Sequence, residues 1–379
     1  MATHDSRSLA SWRRRVFQVC LGVLLSLVAQ SATAQNRTVL VSSVPGNAAS
    51  SGTALRNALS GISSPSSTNP WLLKIEPGIY DIGSTPLPMR SWVDIEGSGI
   101  GVTIIRGTVD VTASPSGGTV NGASDAELRL LTVEAIATST VPHVAGIFND
   151  QTFPRFYRVK VVATGVSGSV VYGIRNLQAA PRIEECEINS GSFGSGSSAY
   201  GVSFKTNFSG ARSVILRSQI TASAANNTYG VSMLDRLTLS ELRDSKINVA
   251  NATSNYGIFA DQNSGWGGQE DLAIRNGDVG AAGGTSSYGV FVGSSAWAYL
   301  DIARSNVWGH VASTNNYGID QVGGGAVVLK GSSVLGSTAT VSTAGNASIA
   351  STEMSGGAAW SAGWMGCMGV WGENAVFFK

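Results

Sequence analysis

The chain has 379 residues and a formal net charge of +1, with 13% charged residues, 43% apolar residues and 47 glycines. Soluble globular chains carry about 25% charge, and a balance this near zero excludes nucleic acid and an anionic membrane surface as main partners. Glycine, serine, threonine, alanine and asparagine fill the difference.

The N-terminus reads as a targeting segment. Arg13, Arg14 and Arg15 precede the apolar run VFQVCLGVLLSLVA (16–29), and Ala32-Thr33-Ala34 supplies small residues for cleavage. The run is too short to span a bilayer, and no later run is long enough. The expectation is a signal peptide over 1–34 and an exported chain that is secreted, periplasmic or at the cell surface. Removing four arginines and one aspartate takes the charge to −2 (21 basic against 23 acidic residues) and leaves Cys186 and Cys367.

Residues 35–71 form an N-terminal segment with a capping helix. In ALRNALSGI (54–62), Leu55, Ala58, Leu59 and Ile62 share one helical face. From residue 72 to 355 the sequence repeats. The pair Tyr-Gly, followed by Ile or Val, occurs at Tyr172, Tyr200, Tyr229, Tyr256, Tyr288 and Tyr317, where chance would give about one pair; Ala145-Gly146-Ile147 is a copy without tyrosine. A second element accompanies it: IEECEI (183–188), ILRSQI (215–220), LRDSKI (242–247), IRNGDV (274–279), IARSNV (302–307) and LKGSSV (329–334), with earlier copies LRLLTV (128–133) and FYRVKV (156–161). Its last positions recur at intervals of 27 to 32 residues. Such a period indicates a solenoid, propeller or array, and short β-branched strands between Gly/Ser/Asn-rich turns favour a parallel β-helix.

In such a coil Ile147, Ile174, Val202, Val231, Ile258, Val290 and Ile319 stack inside, with coils about 4.8 Å apart. Alternation places each tyrosine on the same side as the Ile or Val two residues later, as a stacked ladder at the strand entrance. The alternative is a tyrosine strip that stacks on sugar rings. The segment 356–379 breaks the repeat and carries Trp360, Trp364 and Trp371 with Phe377 and Phe378. It reads as a capping tail over the last coil, or as a docking tail.

LLKIEPGIYDIG (72–83) and SWVDIEGSGIGVTIIRG (91–107) resemble the opening of right-handed parallel β-helix proteins of the pectate lyase/pectin esterase superfamily. The matching residues are Ile75, Pro77, Gly78, Tyr80, Val93, Ile95, Gly97, Gly99, Thr103 and Ile105. The resemblance implies an all-β, single-stranded right-handed parallel β-helix, here of about nine coils, with a helix cap in front and an aromatic cap behind. It also raises polysaccharide chemistry. The pectin esterase, pectate lyase and polygalacturonase motifs are absent, so no catalytic residue carries over.

A site of the chain's own remains. With the Tyr-Gly glycine as zero, even offsets point outward. Offset +2 then reads Phe148, Arg175, Ser203, Ser232, Phe259, Phe291 and Asp320, and offset +4 includes Lys205 and Asp261. Arg175, Lys205, Phe259, Asp261 and Phe291 are the candidate ligand-binding residues, able to hold a glycan by aromatic stacking and charged hydrogen bonds. The alternative is a solvated face. His143 and His310 lie about six coils apart, too far to share a metal, and no cofactor or metal site is expected. Two functions follow: an exported non-catalytic scaffold binding a polysaccharide or cell-surface glycan, or a carbohydrate-active lyase or hydrolase with a non-standard site. Because the two cysteines lie on distant coils, both are expected as free thiols.

Overall fold

The six-residue element whose fourth position is small folds as a corner. In IEECEI, Ile183 fills the core from one strand (Arg182–Glu184) and Ile188 fills it from the next (Glu187–Ser192). Between them Glu185 takes the left-handed conformation, φ 53°, as do Arg217, Asp244, Asn276 and Arg304 at the same place in later coils. A side chain in that region costs on the order of 1 kcal/mol. The small fourth residue offsets it. Ser218, Ser245 and Ser305 each donate their hydroxyl to the carbonyl two residues back, at 2.8 Å. The same oxygens accept axial bonds: Cys186 N–H donates to Ser218 Oγ, Ser218 N–H to Ser245 Oγ, and Gly277 N–H to Ser305 Oγ, each at 3.0 Å. These bonds satisfy backbone donors at a corner where no strand is available.

The computed structural model describes residues 37–108, 117–137, 143–205, 212–235, 239–261, 270–293, 298–371 and 377–378. The signal peptide expected over 1–34 lies outside the described residues. Within them the chain is an all-β right-handed parallel β-solenoid with one N-terminal helix. Three parallel sheets run along its axis. The first includes Arg182–Glu184, Ser213–Leu216 and Leu239–Arg243, with one register shift between Ser213 and Val214; the second includes Glu187–Ser192, Gln219–Ser223 and Lys246–Ala250. The third holds the Tyr-Gly strands: Val170–Leu177, Ser198–Lys205, Asn227–Leu234, Ser254–Asp261, Ser286–Val292 and Asn315–Gln321.

About 8 turns form the solenoid, slightly off the expected nine. Coil length itself varies: Val327 pairs with Ala347 and Ala347 with Met365, steps of 20 and 18 residues. The aromatic end segment contributes to these last coils. Glu353–Ser361 and Met365–Met368 pair in parallel with the strands before them, and Trp360, Trp364 and Trp371 stay exposed.

The core follows the repeats. Ile174, Val202, Val231, Ile258, Val290 and Ile319 are fully buried and directly paired along the axis, opposite Ile188, Ile220, Ile247 and Val279 of the second sheet. At one end lies the helix Ala48–Gly61, whose Leu55 and Leu59 are buried. Asn47 caps its start by accepting the Ser50 N–H at 2.9 Å. Arg90 takes the Leu59 and Ile62 carbonyls at its end, at 3.0 and 2.7 Å. Cys186 is buried and Cys367 exposed; both are free thiols, as their separation along the axis requires.

The tyrosines correct the alternation argument. They stack as expected, but on the outside. A Cβ built on Gly173 would meet Ile188 Cγ2 and the Gly201 carbonyl oxygen at 2.5 Å, so the glycine faces the core. The Ile or Val after it is also buried. Two successive inward positions break the period of two and turn the preceding tyrosine out.

Candidate functional site

The outer face of the third sheet concentrates aromatic residues into a ridge. Tyr172, Tyr200, Tyr229, Tyr256, Tyr288 and Tyr317 stack with centroids 4.8, 4.5, 5.1, 5.0 and 5.3 Å apart and nearly parallel planes. Coil spacing sets these distances, so the ladder follows from register alone. His143 extends it, 6.4 Å from Tyr172. Because the ring faces cover one another, the ridge offers ring edges and hydroxyls. A sugar cannot lie flat on a tyrosine within it. Burial and neighbouring tyrosines push Tyr229 and Tyr288 up to about 12, so these hydroxyls stay protonated at neutral pH.

Beside this ridge runs the offset +2 row. Phe259 and Phe291 stack on each other at 5.4 Å and 12°, and stand edge-on to Tyr229, Tyr256 and Tyr288 at 5.1–5.6 Å. Asp261 shares the Phe259 strand, and its carboxylate lies against Gly293. The structure therefore brings Phe259, Asp261 and Phe291 together. Arg175 and Lys205 sit on neighbouring coils nearer the N-terminus. Three coil steps, about 14 Å, separate Arg175 from Phe259, with Ser203 and Ser232 between. The Arg175 guanidinium lies over the Tyr172 ring at 4.7 Å, a cation–π contact. Its Nε is buried without a partner, and burial lowers its pKa.

Two residues of this face were not among the predicted ones. Asp320 follows Phe291 in the offset +2 row, 9% exposed. Its signal was a carboxylate in a row of aromatic and small residues. His143 heads the ladder with Nδ1 buried and unpartnered, and burial followed by the Arg175 charge lowers its pKa. Six coil steps, about 29 Å, separate the two, so they cannot act on one bond.

Burial raises the Asp320 pKa against an opposing hydrogen bond from Ser342. The folded state thus holds this proton more tightly than the unfolded chain, where Asp titrates near about 3.9. The contribution of protonated Asp320 is complete below that value and is lost as pH rises through the folded pKa. Asp320→Asn cannot ionise. It should melt above wild type at pH 7 and converge with it near about pH 3. A variant that melts lower at pH 7 would mean the carboxylate has a stabilising partner.

Electrostatic pairing distinguishes this face from the others. Among the described residues, the ion pairs lie on the outer faces of the first and second sheets and on their corner, as in Arg129 with Glu96 and Glu127, Arg158 with Glu185, and Lys246 with Asp278. A concavity of about 750 Å³ at that corner is lined by Glu185, Arg217, Asp244 and Asn276, which largely satisfy one another. On the third face Arg175, Lys205, Asp261 and Asp320 form no such pair with any of the described residues. No group of three or more His, Cys, Asp or Glu among the described residues could hold a metal ion.

No family model matches the chain. No curated protein matches it either. Solved structures do. Two mannuronan C-5 epimerase A-modules from Azotobacter vinelandii align over 86% and 87% of this chain and 94% and 96% of their own, at 14% and 12% identity, with TM-scores of 0.49 and 0.47. A pectin methylesterase from Erwinia chrysanthemi covers 90% of this chain and 81% of its own at 11% identity, with a TM-score of 0.35. Similarity this distant says nothing about what the chain binds. The strand register by itself makes the protein a parallel β-solenoid, consistent with a pectate lyase-like β-helix fold.

Proposed function

We propose that the outer face of the third sheet binds a carbohydrate chain lying along the solenoid axis, and that the protein serves as an exported, non-catalytic scaffold at a surface or in the medium. The observation that carries this reading is the set of unpaired charges beside an aromatic ridge. Arg175, Lys205 and Asp261 flank about 24 Å of tyrosine edges and the Phe259–Phe291 pair, on a face that has no ion pair among the described residues. Tyrosine hydroxyls, a guanidinium and a carboxylate supply hydrogen bonds to sugar hydroxyls, and the phenylalanines supply apolar contact. With ring faces closed within the stack, each sugar gains little, so affinity should fall near the millimolar range, about 4 kcal/mol.

A glycan array on the mature chain tests this. Phe259→Ala with Phe291→Ala, and Arg175→Ala separately, should each weaken the best hit by about tenfold or more. Equal binding by all three proteins would remove the face from consideration.

A second reading, a carbohydrate-active enzyme, is favoured by Asp320, a buried carboxyl whose raised pKa suits a proton donor. Reducing-sugar and unsaturated-uronide assays on array hits decide between the two. Product formation that disappears in Asp320→Asn would replace the scaffold with an enzyme.

A further inference from the structure

The helix and the segment after Ile82 enclose a cleft of about 480 Å³. It lies at the N-terminal end of the third sheet, where Leu87 pairs with Val120, Val120 with Ile147 and Ile147 with Ile174, three coil steps or about 14 Å from the first strand of the tyrosine ridge. Two guanidiniums, Arg56 and Arg90, line it. Neither has a carboxylate within ion-pair distance among the described residues. Most other arginines of the first and second sheets do have one.

Both arginines have structural duties, but these use only part of each. Arg56 donates through Nη1 to the Pro86 carbonyl at 2.9 Å and through Nη2 to the carbonyls of Ile82, at 2.8 Å, and Thr85. Arg90 donates only through Nη1, to Leu59 and Ile62. A guanidinium has five N–H donors. Arg56 Nε, and Arg90 Nε and Nη2, are left without acceptors among the described residues. None of these atoms is a sealed, unsatisfied donor, so they remain accessible. Burial lowers the Arg56 pKa, as it does for a cation desolvated without a counter-charge.

The helix C-terminus beside the cleft opposes an anion, because its free carbonyls carry about half a negative charge. Two full positive charges exceed that, and Arg90 already occupies two of those carbonyls. The field in the cleft is therefore positive. Exposed Pro88 gives it an apolar wall over the buried Leu59 and Leu87, while Asn57 and Ser60 stand exposed at its rim.

From this geometry we infer that the cleft between the capping helix and residues 82–90 is a binding site for an oxyanion with an apolar body, held by the unused donors of Arg56 and Arg90. A carboxylate and a phosphoryl or sulfuryl group share the needed chemistry, since each accepts parallel N–H bonds from a guanidinium.

Benzoate, phenyl phosphate and phenyl sulfate, with neutral benzyl alcohol as control, test the inference by calorimetry on the mature chain. At least one anion should bind saturably with a dissociation constant on the order of 1 mM at low salt, and more weakly at higher ionic strength. The anion that binds best identifies the head group. Arg56→Gln with Arg90→Gln should abolish the signal. Because those changes also remove a helix cap, the rim variant Asn57→Asp provides an independent arm. It leaves the packing intact and should weaken binding about fivefold or more by placing a like charge at the mouth. Absence of saturable binding by all three anions in the wild type would overturn the inference. So would binding unchanged in Asn57→Asp, or benzyl alcohol binding as well as benzoate.

Discussion

Val231→Asp should be the most damaging single substitution in the solenoid. Val231 has no exposed surface, pairs with Val202 in one neighbouring coil and Ile258 in the other, and both of these are fully buried. The change removes about 1.5–3 kcal/mol of apolar burial and places a carboxyl where no described cation can reach it. The group must either stay charged in a dry stack or take up a proton, and each adds further cost. Whole-domain stability is commonly about 5–15 kcal/mol, so a large share of it is lost. Each coil contacts only its neighbours, so the damage also interrupts propagation along the axis. The expected result is a melting transition lowered by about 10 °C or more, split in two, or replaced by aggregation. Asn226→Asp, an exposed turn position in the same coil, should melt as wild type. A soluble Val231→Asp protein with an unchanged, cooperative transition would contradict the interior ladder.

The solenoid was legible in the sequence because stacking forces like residues into register. Ile or Val recurs at the inward positions, and a small residue recurs at each corner. The reason for the small residue was not legible. Serine at Ser218, Ser245 and Ser305 closes a hydrogen bond onto its own chain and accepts one from the preceding coil, which depends on three-dimensional neighbours. The side taken by the tyrosines was misread for a related reason. Alternation assumes an unbroken strand, and the glycine after each tyrosine breaks it by approaching the second sheet. Of the candidate site, Phe259, Asp261 and Phe291 were found together because they share one strand and the next. Arg175 was placed correctly in its row, but its seat on Tyr172 followed only once the ring turned outward. Asp320 was visible in the same row, while its burial depends on packing that no spacing rule encodes.

Gly257→Ala tests why every tyrosine of the ridge is followed by glycine. Gly257 is not in the left-handed region, so backbone conformation alone would accept alanine. Space does not. The added Cβ would lie 2.5 Å from the Gly289 carbonyl oxygen and 2.9 Å from Val279 Cγ1. The first of these belongs to the adjacent coil's backbone, which cannot rotate away as a side chain can. Relief requires the two coils to part locally, weakening ladder bonds between Ser254–Asp261 and Ser286–Val292. Overpacking of this kind costs about 1–3 kcal/mol, and a backbone neighbour puts it at the upper end. The same separation should disturb the Tyr256–Tyr288 stack, now 5.0 Å between centroids. Gly257→Ala should therefore melt several degrees lower and alter the near-ultraviolet tyrosine signal. Gly283→Ala, where the added Cβ meets nothing within 4 Å but φ is 83°, separates sterics from conformation. It should cost only the roughly 1 kcal/mol of a left-handed alanine and leave the tyrosine spectrum unchanged. If Gly257→Ala also preserved both melting and spectrum, the glycines would owe their recurrence to something other than the close approach of neighbouring coils.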